Sequence, residues 1–356
     1  MEQAMIQTLY LGRVSYDEAL QLQAEIAALR LEGRVGNVLL LLEHPPVLTL
    51  GRNADRSNIL ASDQLLASRG VTLHNINRGG DVTYHGPGQL VGYPIFDLRS
   101  LQKDLSAVSN HVSSSLGPAG GPTGARIGPV DFVRRMEEAL IRLCGVYGLR
   151  AFRIAGLTGV WCGPVNDLDR PQNSSKELPS AGPRKIAAIG IHVSRGITTH
   201  GFAFNLTTDL RDFQLIHPCG ITDKPVTSLA AELASPALAR EGGSPAALPT
   251  LEAFAHQAAR QFGLVFGQQV LAVENLETLR AQASLSSAPK AQPAAPQVPP
   301  KAQRAAPEVP PKAQPAAPEV PPKAQPAAPQ VPQDTPLEFP RELERFHGRA
   351  QRPVRA

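Results

Sequence analysis

An eleven-residue repeat near the C-terminus limits what this chain can fold into more than any other feature. PPKAQRAAPEV (299–309), PPKAQPAAPEV (310–320) and PPKAQPAAPQV (321–331) follow a variant first copy, APKAQPAAPQV (288–298). An eleven-residue period can mark a right-handed coiled coil, but fourteen prolines between 288 and 331 exclude a helix there. With no aromatic and no glycine, these 44 residues predict an extended, disordered, polyproline-like spacer. Such a spacer spans on the order of 140 Å at the polyproline rise. A charged C-terminal segment, 332–356, follows it, including TPLEFPRELERF (335–346). A packed core therefore has to come from the first 287 residues.

The charge balance supports the same division. The isoelectric point is about 9.1, which on its own would suggest nucleic acid as a partner. Residues 288–356 hold ten Lys/Arg and six Asp/Glu, and subtracting these from the totals of 35 and 31 leaves 25 of each in 1–287. The foldable part is electroneutral, so no basic face is needed to explain the isoelectric point, and nucleic-acid binding is not expected. The three cysteines, 144, 162 and 219, have no Cys-x-x-Cys spacing and an odd count. They argue against a disulfide framework and a cysteine zinc site. No stretch is long and apolar enough to span a bilayer, and the N-terminus has no basic segment followed by an apolar run. A reducing cytoplasm is the expected location, with no membrane association and no metal.

The first 270 residues read as an α/β domain, a mixed sheet with flanking helices. Met5–Leu11 is strand-like, and Ser15-Tyr-Asp-Glu18 is a capping box opening a helix that Gly33 ends. Val38–Glu43 is a continuous apolar run, the pattern of a strand buried on both faces. Val47–Leu50, Val71–Ile76 and Leu90–Leu98 are further strands, with a short capped helix at Ser62–Arg69. Pro129–Tyr147 is an amphipathic helix opened by proline, and Cys144 falls on its apolar face. Lys185–Val193 and Gly196–Leu206 form an antiparallel pair, and Thr250–Phe262 is a closing helix. Gly/Pro/Ser-rich stretches at 113–128 and 164–184 read as loop insertions, and 271–287 as a connecting segment.

Three segments could carry chemistry. In Arg78-Gly79-Gly80-Asp81-Val82-Thr83-Tyr84-His85-Gly-Pro-Gly-Gln89, four glycines let backbone approach a ligand while Arg78, Tyr84 and His85 offer polar groups. It is neither a dinucleotide fingerprint nor a phosphate loop, and an irregular turn between strands explains it equally well. In Lys185-Ile-Ala-Ala188-Ile189-Gly190, the lysine reads either as a solvated strand end or as an amine beside a pocket. In His200-Gly201-Phe202-Ala203, a glycine within a strand marks a bulge or a close backbone approach.

A fourth stretch, Ile216-His217-Pro218-Cys219-Gly220-Ile221, sets a thiol on a sharp turn where packing is difficult and access easy. A free thiol is little ionised near neutrality, its reference pKa being about 8.5. Lowering that by two units represents roughly 2.7 kcal/mol of thiolate stabilisation. An ammonium ~4 Å away at an effective dielectric of 20 supplies ~4 kcal/mol before desolvation. Lys185 can do this only if the fold brings it across 34 residues of sequence. Cys162, after Trp161 and among Gly159 and Gly163, reads as a strand or core residue in preference to one lining a cavity.

Taken in order, RGGDVTYHGPGQL, KIAAIGIHVSRGITTHGFAFNL and PCGI strongly resemble the lipoyl(octanoyl) transferase family, also called lipoate-protein ligase B. The VRRMEEALIRL run before the second motif matches too, and the resemblance covers roughly residues 5–265. It implies the fold shared by biotin and lipoate ligases. It also implies transfer of an octanoyl group from acyl carrier protein to a lysine of lipoyl domains, those of 2-oxoacid dehydrogenases and the glycine cleavage H protein. Carried over, Cys219 would form the thioester acyl-enzyme and Lys185 would lower its pKa and shuttle the proton. Arg78–His85, Ala188–Gly190 and Gly201–Ala203 would bind the acyl chain. No cofactor is expected, because thioester exchange is nearly neutral and thioester-to-amide transfer runs downhill. A monomer is expected.

The insertions and the 288–356 extension depart from the family pattern. The tail's spaced lysines, 290, 301, 312 and 323, suggest recruitment of acidic carrier proteins. Competing readings are an ATP-dependent lipoate or biotin ligase, which has no need of the Pro-Cys-Gly cysteine, and a cysteine thioesterase or amidase. The latter needs a histidine base, for which His85, His200 or His217 would serve. A non-catalytic scaffold would not need Lys185 and Cys219 together.

Overall fold

The computed structural model describes residues 5–101, 126–163, 182–218, 224–235 and 248–286. The repeat tail, most of both insertions and Cys219 lie outside them. An eight-stranded mixed sheet carries the fold. Three strands lie parallel at one side: β11 (Gln269–Ala272), β1 (Met5–Arg13) and β2 (Asn37–Glu43). The rest are antiparallel, running from β2 to β6 (Gln89–Ile95), β10 (Ile197–Asn205), β9 (Arg184–Ser194), β8 (Leu157–Cys162) and β7 (Ala151–Ile154). A second sheet has β3 (Val47–Leu50) between β4 (Thr72–Asn75) and β5 (Val82–His85).

Each face of the large sheet is covered by helices, which explains the unbroken apolar run in β2. Val38, Leu40 and Leu42 point to one face, under α1 (Tyr16–Leu31) and α6 (Leu276–Leu285), where they meet Ala19, Leu22, Ile26 and Leu279. Leu39 and Leu41 point to the other, under α3 (Pro129–Val146) and α5 (Leu251–Phe266), against Phe132, Met136, Phe254 and Phe262. The alternation is that of any strand, and burial of each such side chain contributes about 1.5–3 kcal/mol. The small sheet has its own cluster, Leu48, Val82, Tyr84, Phe213 and Leu215, with Leu66 of α2 (Asp63–Ser68). Ser15 caps α1, its hydroxyl accepting from the Glu18 amide at 3.3 Å.

The expected mixed sheet with flanking helices is present, and four local expectations are corrected. Val82–His85 lies not in an irregular loop but in β5, since Val82 and Tyr84 have an apolar cluster to fill. The expected connecting segment, 271–287, holds the end of β11 and all of α6, whose Leu279 and Ala283 are core residues. The first insertion closes before Ile127, which is buried and donates its amide to Leu101 O. The second closes before Arg184, a residue of β9 ion-paired to Glu232 at 2.7 Å. Cys144 and Cys162 are both fully buried in the core, where desolvation pushes the Cys144 thiol well up.

Candidate active site

Lys185 sits near the start of β9 and is only 7% exposed. Its main chain is clipped to the segment that follows Cys219 in the chain. The Lys185 amide donates to Pro225 O and its carbonyl accepts from the Thr227 amide, both at 2.9 Å. On the N-terminal side of Cys219, the His217 amide donates to Asn58 O at 2.7 Å, and Ile216 bridges to Ile59. Pro218 then meets Lys185 in the lining of one small pocket, together with Thr83, Ala188 and Ala203. Cys219, the next residue in the chain, lies outside the described residues; the chain is described again from Lys224. The described flanks of the segment holding Cys219 are thus anchored, one to Lys185 and the other to Asn58 and Ile59.

Buried amides brace this corner. Gln89 donates to Asn205 Oδ1 at 2.9 Å and to Tyr84 O at 3.1 Å, and Asn205 donates to Thr227 O at 2.9 Å. Glu232, on α4 (Leu229–Leu233), accepts from Arg184 Nε and Nη2 and from the Thr227 hydroxyl. Those bonds hold its carboxyl below the usual range against the upward push of burial.

Thr83, Ala188 and Ala203 also line a second, larger cleft of about 470 Å³, partly open to solvent, so the two spaces are adjacent. Ile189, Gly190, Gly201 and Phe202 form one wall, and Arg78, Gly80 and His85 the other. Bare backbone makes this geometry possible. A Cβ on Gly190 would stand 2.7 Å from Gly79 O, and one on Gly201 would stand 2.1 Å from Gly92 O. The glycine loop seats on β9 through the Gly79 amide, which donates to Ile191 O at 3.0 Å. Arg78 is buried and donates to Thr49 O and Thr49 Oγ1, each at 2.9 Å, and to Gly79 O at 3.1 Å.

Four residues of the predicted acyl-binding segment do not line the cleft. Asp81 braces the loop by accepting from the Asp55 and Val82 amides. Gly79 acts through its backbone. Val82 and Tyr84 alternate to the far face of β5, where the Tyr84 hydroxyl donates to Asp212 Oδ2 at 2.7 Å. Conversely, Tyr16, Val91 and Tyr93 line the cleft unpredicted; each reads in sequence as an ordinary core position.

The imidazoles around the cleft are neutral. Burial pushes His85 down to about 3, with His44, Arg78 and His200 nearby adding to it, and holds His44 and His200 at about 4. His44 Nδ1 donates to Val14 O, so its Nε2 accepts from the Tyr93 hydroxyl, each at 2.7 Å. His85 Nδ1 donates to Gln89 Oε1 at 2.8 Å. His200 has a left-handed φ of 56°, and its Nε2 donates to Asn77 Oδ1 at 2.7 Å. Bases so weakened are far from the range suited to proton abstraction near neutrality. Among the described residues no His/Cys/Asp/Glu group could hold a metal ion, and no helix is long and apolar enough to cross a membrane.

The chain is similar to proteins of known class over most of this domain. The family model of the lipoyl protein ligase A/B catalytic domain matches residues 15–129 and 121–242. An octanoyltransferase of Acidobacterium capsulatum is 52% identical over 272 residues, covering 76% of this chain and 94% of that protein. An octanoyltransferase of Koribacter versatilis is 47% identical over 275 residues, covering 77% and 90%. Among solved structures, the fold is similar to that of a bipartite lipoate protein ligase from Thermoplasma acidophilum. The TM-score is 0.50 at 16% identity, covering 79% of this chain and 91% of that one. The chain belongs to the lipoyl protein ligase A/B catalytic-domain family and, within it, to the octanoyltransferases.

Proposed function

We propose that the octanoyl transfer of this family's lipoate biosynthesis runs here through a thioester on Cys219, assisted by Lys185. The Cys219 thiolate attacks the carbonyl carbon of octanoyl-acyl carrier protein. The new C–S bond forms as the bond to the carrier's thiol breaks, and the Lys185 ammonium returns a proton to that leaving thiolate. A lysine amine of a lipoyl domain then attacks the acyl-enzyme. The C–N bond forms, Cys219 leaves as thiolate, and Lys185 takes up the proton lost by the amine. Neither step needs a nucleotide or a metal, since a thioester is spent to make an amide.

One observation carries this reading: Lys185 and Pro218, the residue preceding Cys219, line one pocket that shares Thr83, Ala188 and Ala203 with an adjacent, glycine-walled cleft. The lining Ala188, Ile189, Phe202 and Ala203 suit a saturated chain. Arg78–His85, Ala188–Gly190 and Gly201–Ala203 are assigned as its acyl-binding segments, with Asp81, Val82 and Tyr84 acting from behind the wall. Residues 5–286 form the catalytic domain in this reading, and the protein acts as a cytoplasmic monomer. Lysines of the 288–356 tail recruit the acidic carrier; deleting the tail at low salt raises the carrier KM, and an unchanged KM removes that part.

Mass spectrometry after mixing with octanoyl-acyl carrier protein tests the proposal. An octanoyl mass appears on the peptide containing Cys219 and is absent in Cys219→Ser. A Cys219→Ser protein that still octanoylates its acceptor at full rate overturns it. A hydrolase that used His85 or His200 as its base is disfavoured because both are such weak bases.

A further inference from the structure

We infer that Trp161 is a positioning residue for Lys185, an aromatic seat that fixes where the ammonium stands; the inference rests on the role proposed for Lys185. The Lys185 Nζ lies 4.7 Å from the centroid of the Trp161 ring, within the range of a cation–π contact. The two residues are direct partners across β8 and β9. Their pairing is displaced from that of the strands below, because Val160 faces Ala187 while Trp161 faces Lys185, leaving Ile186 as an extra residue on β9. That bulge re-aims the lysine, sending Ile186 and Ala187 into the core while Lys185 stands over the indole.

Three further observations separate this tryptophan from an ordinary core residue. It is fully buried, yet it belongs to none of the hydrophobic clusters among the described residues. Its Nε1 has no hydrogen-bond partner there, so no such bond explains an indole at this position. What an indole offers over a phenyl ring is the strongest face for a cation. The third is the floor beside it. Gly159, with φ 125°, carries no Cβ, and one placed there would stand 2.6 Å from Ala187 O and 3.4 Å from Lys185 Cε. The Gly159 amide donates to buried Glu137 at 3.1 Å, fixing that floor to α3. The lysine stem lies over a bare glycine and its head over an aromatic face.

The test is a double-mutant cycle on the full chain, following acyl-enzyme formation from octanoyl-acyl carrier protein with melting temperature in parallel. Trp161→Phe keeps a weaker face and slows the step about threefold, whereas Trp161→Leu slows it roughly ten- to thirtyfold. In a Lys185→Met background neither change has a further effect, because the ring acts only through the ammonium. Trp161 is the chain's single tryptophan, so the emission comes from this indole alone and changes in Lys185→Met. If Trp161→Leu folds poorly, the Phe variant and the emission of Lys185→Met still decide. Equal losses in the presence and absence of Lys185, or emission indifferent to Lys185→Met, overturn the inference. Full-rate acylation by Lys185→Met would instead overturn the role proposed for the lysine itself.

Discussion

Gly190→Ala is the substitution whose effect the structure defines most closely. The added Cβ stands 2.7 Å from Gly79 O and 3.2 Å from Arg78 Cδ, where ordinary contact begins at 3.4 Å. Gly190 pairs with Gly201 inside a sheet of eight strands, so the glycine loop has to move rather than β9. A retreat of about 0.7 Å restores contact and takes the 3.0 Å bond from the Gly79 amide to Ile191 O beyond hydrogen-bonding range. That bond contributes about 1 kcal/mol, and disturbing the charge-assisted bonds of Arg78 to Thr49 costs a further 1–2 kcal/mol, roughly. A total of about 2–3 kcal/mol corresponds to a loss of roughly 30- to 150-fold in kcat/KM for the octanoyl donor. Steady-state transfer to a lipoyl-domain acceptor measures it. Wild-type kcat/KM in a folded Gly190→Ala protein would refute the account of how the loop is seated.

Two further outcomes follow from the same geometry. The depressed folded values of His44, His85 and His200 mean that the unfolded chain binds these protons first. Stability is full above about pH 6.5 and is lost as pH falls toward 4 and 3, each histidine removing about 2 kcal/mol by pH 5. Denaturant melts between pH 7 and 5 check this, and a flat profile contradicts it. Tyr84→Phe removes the bond to Asp212 behind the cleft wall, so it costs about 1 kcal/mol, or roughly 2–4 °C in Tm. Octanoyl transfer by that variant stays within about twofold of wild type; a large rise in the donor KM would return Tyr84 to the cleft.

Much of this domain is legible in the sequence because its signals are local. The run Val38–Glu43 announces burial on both faces, Ser15 caps the first helix, and Pro129 opens an amphipathic one. What escapes depends on partners far along the chain. β11 is an exposed four-residue strand that pairs with β1 some 260 residues away, so 271–287 looks like a connector until that pairing is known. β5 hides inside the glycine motif because only alternate residues, Val82 and Tyr84, face apolar neighbours. The same alternation turns Tyr84 away from the cleft while Thr83 and His85 line it. Trp161 gains its meaning only from a displaced cross-strand register, which spacing within one segment does not encode. The motifs name the segments that meet at the site; tertiary pairing decides which side chains of each reach it.

The most direct measurement of the central claim is the pH dependence of Cys219 alkylation, resolved by peptide mass, in the wild type and in Lys185→Met. Cys144 and Cys162 are fully buried and serve as internal controls. An ammonium beside the sulfur favours the thiolate, so its removal raises the alkylation midpoint, by about two units if it supplies the roughly 2.7 kcal/mol of stabilisation the chemistry calls for. The same midpoint in both proteins would mean that Lys185 does not act on Cys219.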